Sequence, residues 1–531
     1  MKPFTRKQHY LVLLVLTALT ILIRLPFAGP YLYDGDPVVY YEGAVNLLHD
    51  GQYLVDGKVP FWPAGTSLTM APLVAVFELL GWPMESAAFW HGLMFMIIAV
   101  TFTYLLGKWL FSPATGMIGA VLLTLAESPF LHSINAAADI GAMAMLVASV
   151  YFILLFLDTQ TPRDLFLSFF LLGFSFLFRW NYALFLPLYL VFLIGDRRIW
   201  AFHLYPKFWI LGFTGFFLGV AIQFWFNFQH YGSPFQIGYG QLDYETQFKF
   251  QILVLVKNMV RVVYRVLFTW DFYSPLLAMF GVLAVVSLYQ KKRRDVLWLF
   301  LPWVVLGALS VIYFGVKPRL LIPIMPPLFL IGAEGVVWLY MRLSANWPGL
   351  RKTRGLGAGL FGLMALILFL PMFSRTLLHA HGHFQEKMVM QAAFRWAGEQ
   401  SPENTILITQ PMYAGQNDDW LRAGWRHWAS RRYSGRETVS FRYPATWAAE
   451  PDQNLLVVNQ FWFEAENMRF EDTDRLAGRF DSLKAVWNLE LLAIFEGQHE
   501  PTWLKKFNML SYYPVDFMVF RPRFEIWGPS R

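Results

Sequence analysis

The sequence predicts a polytopic α-helical membrane protein with about eleven transmembrane helices. Amphipathic helices lie in its first outer loop, and a small extracytoplasmic α/β domain follows at the C-terminus. Three observations predict this. The 531 residues are 56% hydrophobic and only 15% charged, whereas a soluble domain carries roughly a quarter charged residues. Apolar stretches recur between residues 10 and 373, several of them near the length of about 20 residues that crosses a bilayer. Beyond residue 373 the chain turns charged and mixed.

The aromatic content agrees. The 22 Trp and 24 Tyr suit membrane–water interfaces, where an apolar ring with a polar edge sits at headgroup level. The net charge of +7 is accounted for by Lys and Arg in cytoplasmic loops. Membrane lipids are therefore expected partners and nucleic acid is not. With no cysteine, disulfides, thiolate nucleophiles and Cys-ligated metals are excluded.

The expected spans are 10–27, 86–107, 113–131, 136–157, 164–178, 182–195, 208–228, 272–290, 295–314, 319–341 and 356–373. The pair 164–195 is split by Arg179, Trp180 and Asn181. The first span carries Lys and Arg ahead of it, but no small-x-small cleavage site follows, so it reads as a retained signal anchor. With the N-terminus in the cytoplasm, sixteen Lys and Arg fall in inner segments and eight in the outer loops between the spans, the segment after residue 373 left out of the count. That bias is the one the positive-inside rule requires. It makes 28–85, 229–271 and 374–531 extracytoplasmic.

In the last segment "NTILITQP" (404–411) and "NLLVVNQFWF" (454–463) read as buried strands, and "EKMVMQAAFRWAGEQ" (386–400) as a helix. The domains are thus 1–373, a transmembrane unit, and 374–531. No internal repeat suggests an inverted-repeat transporter.

The first outer loop is the informative stretch. "PVVYYEGAVNLLH" (37–49) suits a short helix with Val38, Tyr41, Val45 and Leu48 near one face. A second helical stretch begins in "FWPAGTSLTMAPLVAVFELLG" (61–81). Two such half-embedded helices would roof a cavity at the interface.

These residues resemble the first outer loop of membrane glycosyltransferases of the GT-C fold. The nearest group is that of bacterial protein O-mannosyltransferases and the aminoarabinose transferase of lipid A. Asp36, Tyr40 and Ala44 keep that group's spacing, followed by Gly51, Tyr53 and Pro63. The group's Asp-Glu dipeptide is here Asp36–Pro37, and its Pro-Pro-Gly is Pro63–Ala64–Gly65. "LGFSFLFRWNYALFLPLYLVF" (172–192), "NFQHYGSPFQIGY" (227–239) and "KPRLLIPIMPPLFLIGAEGV" (317–336) are similar to its later elements in the same order. The resemblance covers about 300 residues and adds little for the C-terminal domain.

The resemblance implies a multi-pass protein of the bacterial cytoplasmic (inner) membrane. Such an enzyme takes a sugar from a polyprenyl-phosphate donor and passes it to a glycan, lipid or protein acceptor on the outer face. That reaction needs a carboxylate to deprotonate the acceptor hydroxyl and cations to stabilise the leaving phosphate. Asp36 is the expected base, with Asp34 as the alternative base beside it and Asp139 as a second acid facing the same cavity. The alternative for Asp34 and Asp36 is an ordinary Asx turn around Gly35, and for Asp139 an N-cap. The two first-loop acids are also spaced to share a proton or hold a metal together. A phosphate paired to Arg and Lys does not demand a metal, so no cofactor is expected.

For the phosphate the candidates are Arg319, then Lys317 and Arg179, with Arg261 and Arg265, four apart on one helix face, in reserve. Each of these, and Arg24 at the outer end of the first span, is also explained by snorkelling to headgroups. Glu127 is a buried functional carboxylate or the mark of a helix end. His132 is read as an interfacial residue rather than a ligand. Tyr40, Tyr53, Trp62 and Tyr239 are candidates for sugar or acceptor contact, and equally interfacial anchors. Two other functions fit less of the sequence. One is an oligosaccharide polymerase or ligase using pyrophosphate-linked donors; the other is a glycolipid transporter or flippase, which would show charged or Gly/Pro-broken helices at mid-membrane.

Overall fold

The computed structural model describes residues 5–32, 35–55, 59–60, 62–189, 206–236, 252–268, 274–312, 318–347, 354–409, 433–440, 454–459, 484–485, 487–496 and 523–529. Two compact units divide the chain. The first holds Met1–Ala28, Gly43–Trp82 and Ala87–Thr376; the second holds Gly29–Glu42, Pro83–Ser86 and Leu377–Arg531.

Helices dominate the first unit: α1 (Arg6–Arg24), α2 (Gly35–His49, begun in the second unit), α3 (Gly65–Leu79), α4 (Ser86–Leu110), α5 (Pro113–Leu125), α6 (Glu127–Ile134) and α7 (Ala138–Thr159). There follow α8 (Pro162–Phe178), α9 (Pro206–Tyr231), α10 (Ile252–Phe268), α11 (Pro275–Gln290), α12 (Arg294–Ile312), α13 (Met325–Asn346) and α14 (Arg354–Gln400), the last shared between the units. Among the described residues six helices are long and apolar enough to cross a membrane, or seven if the bent pair α5–α6 is one span. Shorter apolar helices occupy Gly65–Leu79, Pro275–Gln290 and Asp295–Leu309. Of the span expected over 182–195, residues 182–189 are described and open in a 3-10 turn, Trp180–Phe185; 190–195 lie outside the described residues.

The stretch expected as one span over 113–131 is instead broken, and the two halves meet at 59°. Pro129 supplies the reason. It has no N–H to give the carbonyl four residues back, which frees Leu125, and Ala126 takes an extended conformation at φ −67°, ψ 133°. Freed carbonyls in a dry environment must find other donors. The Thr376 hydroxyl donates to Leu125 O at 2.8 Å, and Arg24 donates to Thr124 O at 3.1 Å.

Arg24 therefore does not snorkel. It is fully buried, donates to Ser133 Oγ at 2.7 Å and lies 4.3 Å from the centroid of the Phe130 ring. Glu127 opens α6 and pairs with Arg375 at 2.6 Å. His132 is tied to its own helix, its Nδ1 lying 2.7 Å from the carbonyl of Ser128.

Small residues and hydroxyls join the helices, as membrane packing requires where lipid is as apolar as Leu. Gly215 and Gly219 of α9 lie four apart and face carbonyls of α8, those of Phe166 and Phe170. Ser168 Oγ donates to Ser149 O at 2.8 Å, joining α8 to α7. The most enclosed span is Arg319–Asn346, with 83% of its apolar window buried. Inside it Glu334, a carboxylate on an apolar helix, meets Lys291 Nζ at 2.9 Å and the Thr115 hydroxyl at 2.9 Å.

Gly335 sets its helix against the Phe280 carbonyl so closely that a Cβ would collide with it. Gly335→Val is expected to cost about 1–3 kcal/mol through overpacking. A thermal-unfolding series in detergent should show the lowered midpoint, while Gly359→Val, at a position with open space, should not.

In the second unit a five-stranded sheet has the order β2-β1-β3-β5-β4. Its strands are β1 (Ile406–Thr409), β2 (Glu437–Ser440), β3 (Asn454–Asn459), β4 (Leu489–Glu496) and β5 (Arg523–Pro529). β1 runs parallel to β2 and β3; β5 is antiparallel to β3 and β4. Ile408, Leu456 and Val458 form its core. The end of α14 packs on the sheet through Phe394 against Phe524 and Trp396 against Phe495. Arg436 caps that helix, donating to the carbonyls of Gly398 and Ser401 at 2.6 Å each.

Candidate active site

The structure gathers three of the residues singled out from the sequence. Asp139 is the second residue of α7, whose cap is Ala137 with no side-chain hydrogen bond. It is therefore not an N-cap. Instead Arg179 donates to Asp139 Oδ2 at 2.8 Å, and both side chains are buried. Arg319, on the 3-10 turn Pro318–Ile324, and His132 lie within electrostatic reach of the same carboxylate. The indole N–H of Trp303 donates to Pro323 O at 2.9 Å and holds that turn.

Local geometry explains how Arg179 gets there. α8 stops at Phe178, and Arg179 adopts φ −149°, ψ 120°, so its side chain leaves the helix path. A 3-10 turn, Trp180–Phe185, follows. The Phe178 ring fills the space beside Gly141 on α7, which brings the two helices together one residue before the ion pair. Ahead of α7, Ala136 sits at φ 52°, a left-handed conformation costing an alanine about 1–2 kcal/mol. Such strain collects where a neighbouring side chain must be aimed; here the neighbour is Asp139. Asp139, Arg179 and Arg319 together carry one negative and two positive charges, an arrangement able to hold a further anion.

Asp36, partly exposed, belongs to the first turn of α2 in the second unit, where an acid complements the helix dipole. In that unit Tyr31 meets the Phe384 ring at 5.4 Å, and Leu32 N donates to Tyr433 Oη at 3.1 Å. Tyr40 is fully buried in the same unit. Tyr53 and Trp62 are buried in the first unit; Tyr53 Oη donates to Trp62 O at 3.3 Å. Arg261 is exposed on α10, and Arg265 belongs to the same helix. Asp34, Lys317 and Tyr239 lie outside the described residues. Among the described residues no group of three His, Asp or Glu is placed to hold a metal ion. Sequence reasoning missed Glu334 and the burial of Arg24; a lone acid inside "LIGAEGVV" was the available signal for the first.

Comparison with known proteins agrees with this architecture. Residues 70–225 match the family described as dolichyl-phosphate-mannose-protein mannosyltransferase. Among solved structures the chain is similar to the oligosaccharyltransferase AglB of Archaeoglobus fulgidus in complex with an inhibitory peptide and a dolichol-phosphate. The TM-score is 0.59 at 12% identity, over 93% of this chain and 73% of that one. The apo form of the same enzyme aligns at a TM-score of 0.58 and 11% identity, over 99% and 89%. ArnT from Cupriavidus metallidurans bound to undecaprenyl phosphate aligns at 0.48 and 11%, over 96% and 97%. No curated protein sequence matches the chain. The chain shares the fold of that archaeal oligosaccharyltransferase.

Proposed function

We propose that the chain is a glycosyltransferase that moves a sugar from a polyprenyl-phosphate donor to an acceptor on the extracytoplasmic face of the bacterial inner membrane. The observation that carries this reading is the convergence of Arg179 and Arg319 on buried Asp139, in a fold shared with an enzyme that binds a dolichol-phosphate. The acceptor hydroxyl attacks the anomeric carbon, and its proton passes to the Asp36 carboxylate. The bond from that carbon to the phosphate oxygen breaks with inversion, and polyprenyl phosphate leaves. Its growing negative charge is stabilised by Arg319, with Lys317 and Arg179 as the further cations of this reading. Asp139 holds Arg179 in place for that work. Arg261 and Arg265, four apart on α10, are reserve cations for the same phosphate. A metal ion has no step in this scheme.

The test is transfer by the purified full chain from a panel of undecaprenyl-phosphate sugars, with released undecaprenyl phosphate measured by mass spectrometry. Release with no sugar in the panel counts against the reading. Arg319→Glu is expected to weaken donor binding at least tenfold, since it replaces a charge-assisted contact with repulsion. Unchanged donor affinity in that variant would remove Arg319 from the phosphate site.

A further inference from the structure

The turn that follows Arg179 buries a polar group that the transfer scheme does not use. Tyr182 is the third residue of the 3-10 turn Trp180–Phe185 and is 1% exposed. Its hydroxyl has no hydrogen-bond partner among the described residues. Buried hydroxyls are nearly always paired in folded proteins, and one that is not calls for a cause. Other buried tyrosines of the first unit obey the rule. Tyr189 Oη is bonded to Ser149 Oγ, Tyr104 Oη lies 2.6 Å from His9 Nδ1, and Tyr53 Oη donates to Trp62 O.

The phenol lies in the field of the candidate site, where the Asp139 carboxylate and the Arg179 guanidinium both act on it. It is bonded to neither. The turn fixes this relation. Tyr182 N donates to Arg179 O at 3.1 Å, so the two side chains leave one closed turn. The Phe185 ring packs against the phenol ring, with centroids 5.5 Å apart. The ring is thus held in place while its oxygen is left without a bond.

The charges say what would satisfy that oxygen. Asp139, Arg179 and Arg319 leave one positive charge in excess, which favours an anion as ligand. An anionic oxygen accepts from a phenol O–H, and the resulting bond is stronger than one between neutral groups. A neutral donor also adds this bond with no third cation to desolvate. The apolar tail of a prenyl lipid would leave the hydroxyl unanswered. We propose that Tyr182 is a further phosphate-binding residue, its hydroxyl donating to a free oxygen of the polyprenyl phosphate that Arg179 and Arg319 hold. The inference rests on the transferase reading for that phosphate, and it adds a donor to the site, not a second ligand.

The test compares Tyr182→Phe with wild type, as full chains in phosphatidylcholine nanodiscs. Binding of farnesyl phosphate is measured by isothermal titration, beside farnesol, which has the tail without the phosphate. Tyr182→Phe should bind farnesyl phosphate roughly 10–100-fold more weakly, the loss expected for one hydrogen bond to a charged group. Farnesol should bind unchanged. The melting temperature of the variant should equal or exceed that of wild type, because Phe removes a buried hydroxyl that has no partner in the free protein. In the transfer assay KM for the donor should rise by a similar factor while kcat holds. Should the variant fail to fold, a fluorotyrosine placed at position 182 alone keeps the test: its fluorine resonance should shift with farnesyl phosphate and stay in place with farnesol.

Farnesyl phosphate bound equally by the two proteins, as when a water satisfies the phenol, overturns the assignment. So does a variant of lowered melting temperature that loses farnesyl phosphate and farnesol alike, the mark of a structural role. A fluorine resonance that farnesyl phosphate leaves in place does the same. Weakened farnesyl phosphate binding in Tyr182→Phe, with no turnover of any polyprenyl-phosphate sugar by wild type, would keep the phosphate contact and remove the transferase reading. Turnover by wild type with an equal KM in Tyr182→Phe would do the reverse.

Discussion

Asp36→Asn is expected to lower sugar transfer by roughly 10²–10⁴-fold with little change in donor affinity, the loss that follows removal of a positioned general base. Asn keeps the shape of the side chain and removes its capacity to take a proton. The fold should tolerate it, because Asp36 is partly exposed and its favourable interaction with the helix N-terminus is worth only about 0.3–1 kcal/mol. The residues that anchor this turn, Val38 to Tyr41, are fully buried and untouched. The measurement is the rate of polyprenyl-phosphate release per folded enzyme, with the melting temperature recorded for the same preparation. A near wild-type rate would move the base elsewhere, and Asp34→Asn would then be the variant to compare.

Arg179→Met is expected to destabilise the protein by about 3–5 kcal/mol, the cost of stranding one member of a buried ion pair. Asp139 is 2% exposed and would lose its 2.8 Å partner, leaving the electrostatic interactions with Arg319 and His132. The double variant Asp139→Asn/Arg179→Met should regain much of the loss, because a neutral, well-packed replacement of both partners costs little. Denaturant unfolding in a mild detergent reads both numbers. A single variant less than about 1 kcal/mol below wild type would show that the pair contributes little to stability. The two experiments separate roles: Asp36 should change rate without stability, Arg179 both.

The helical architecture was legible because hydropathy over some twenty residues is a long, redundant signal. The end of α8 was legible too, since Arg179, Trp180 and Asn181 interrupt an apolar run and the chain does turn extended there. The break between α5 and α6 was missed although its cause stood in the sequence. Apolar residues flank "ESP" on both sides, so hydropathy ran straight across Pro129. Only the carbonyl count shows that Leu125 must then look elsewhere.

Partners distant in sequence were not legible at all. Arg24 reaches Ser133 and Thr124 across about a hundred residues, and nothing local distinguishes such a cation from one that snorkels. Of the candidate site, the pairing of Asp139 with Arg179 could not be read from spacing, since forty residues and a helical hairpin separate them. The residue types could be read, because cations at helix ends opposite the positive-inside bias call for a cause.

The bonds that close the broken helix also decide where the chain can be cut. A fragment ending at residue 373 would look like a complete membrane portion by hydropathy. It would lack Arg375, the 2.6 Å partner of Glu127, and Thr376, whose hydroxyl satisfies Leu125 O. Each such loss in a dry setting costs about 1–3 kcal/mol. During synthesis the same carbonyl waits 251 residues for its donor, so the kink is finished only when nearly three-quarters of the chain has been made. A truncation just after Thr376 keeps that clasp; one made three residues earlier opens it.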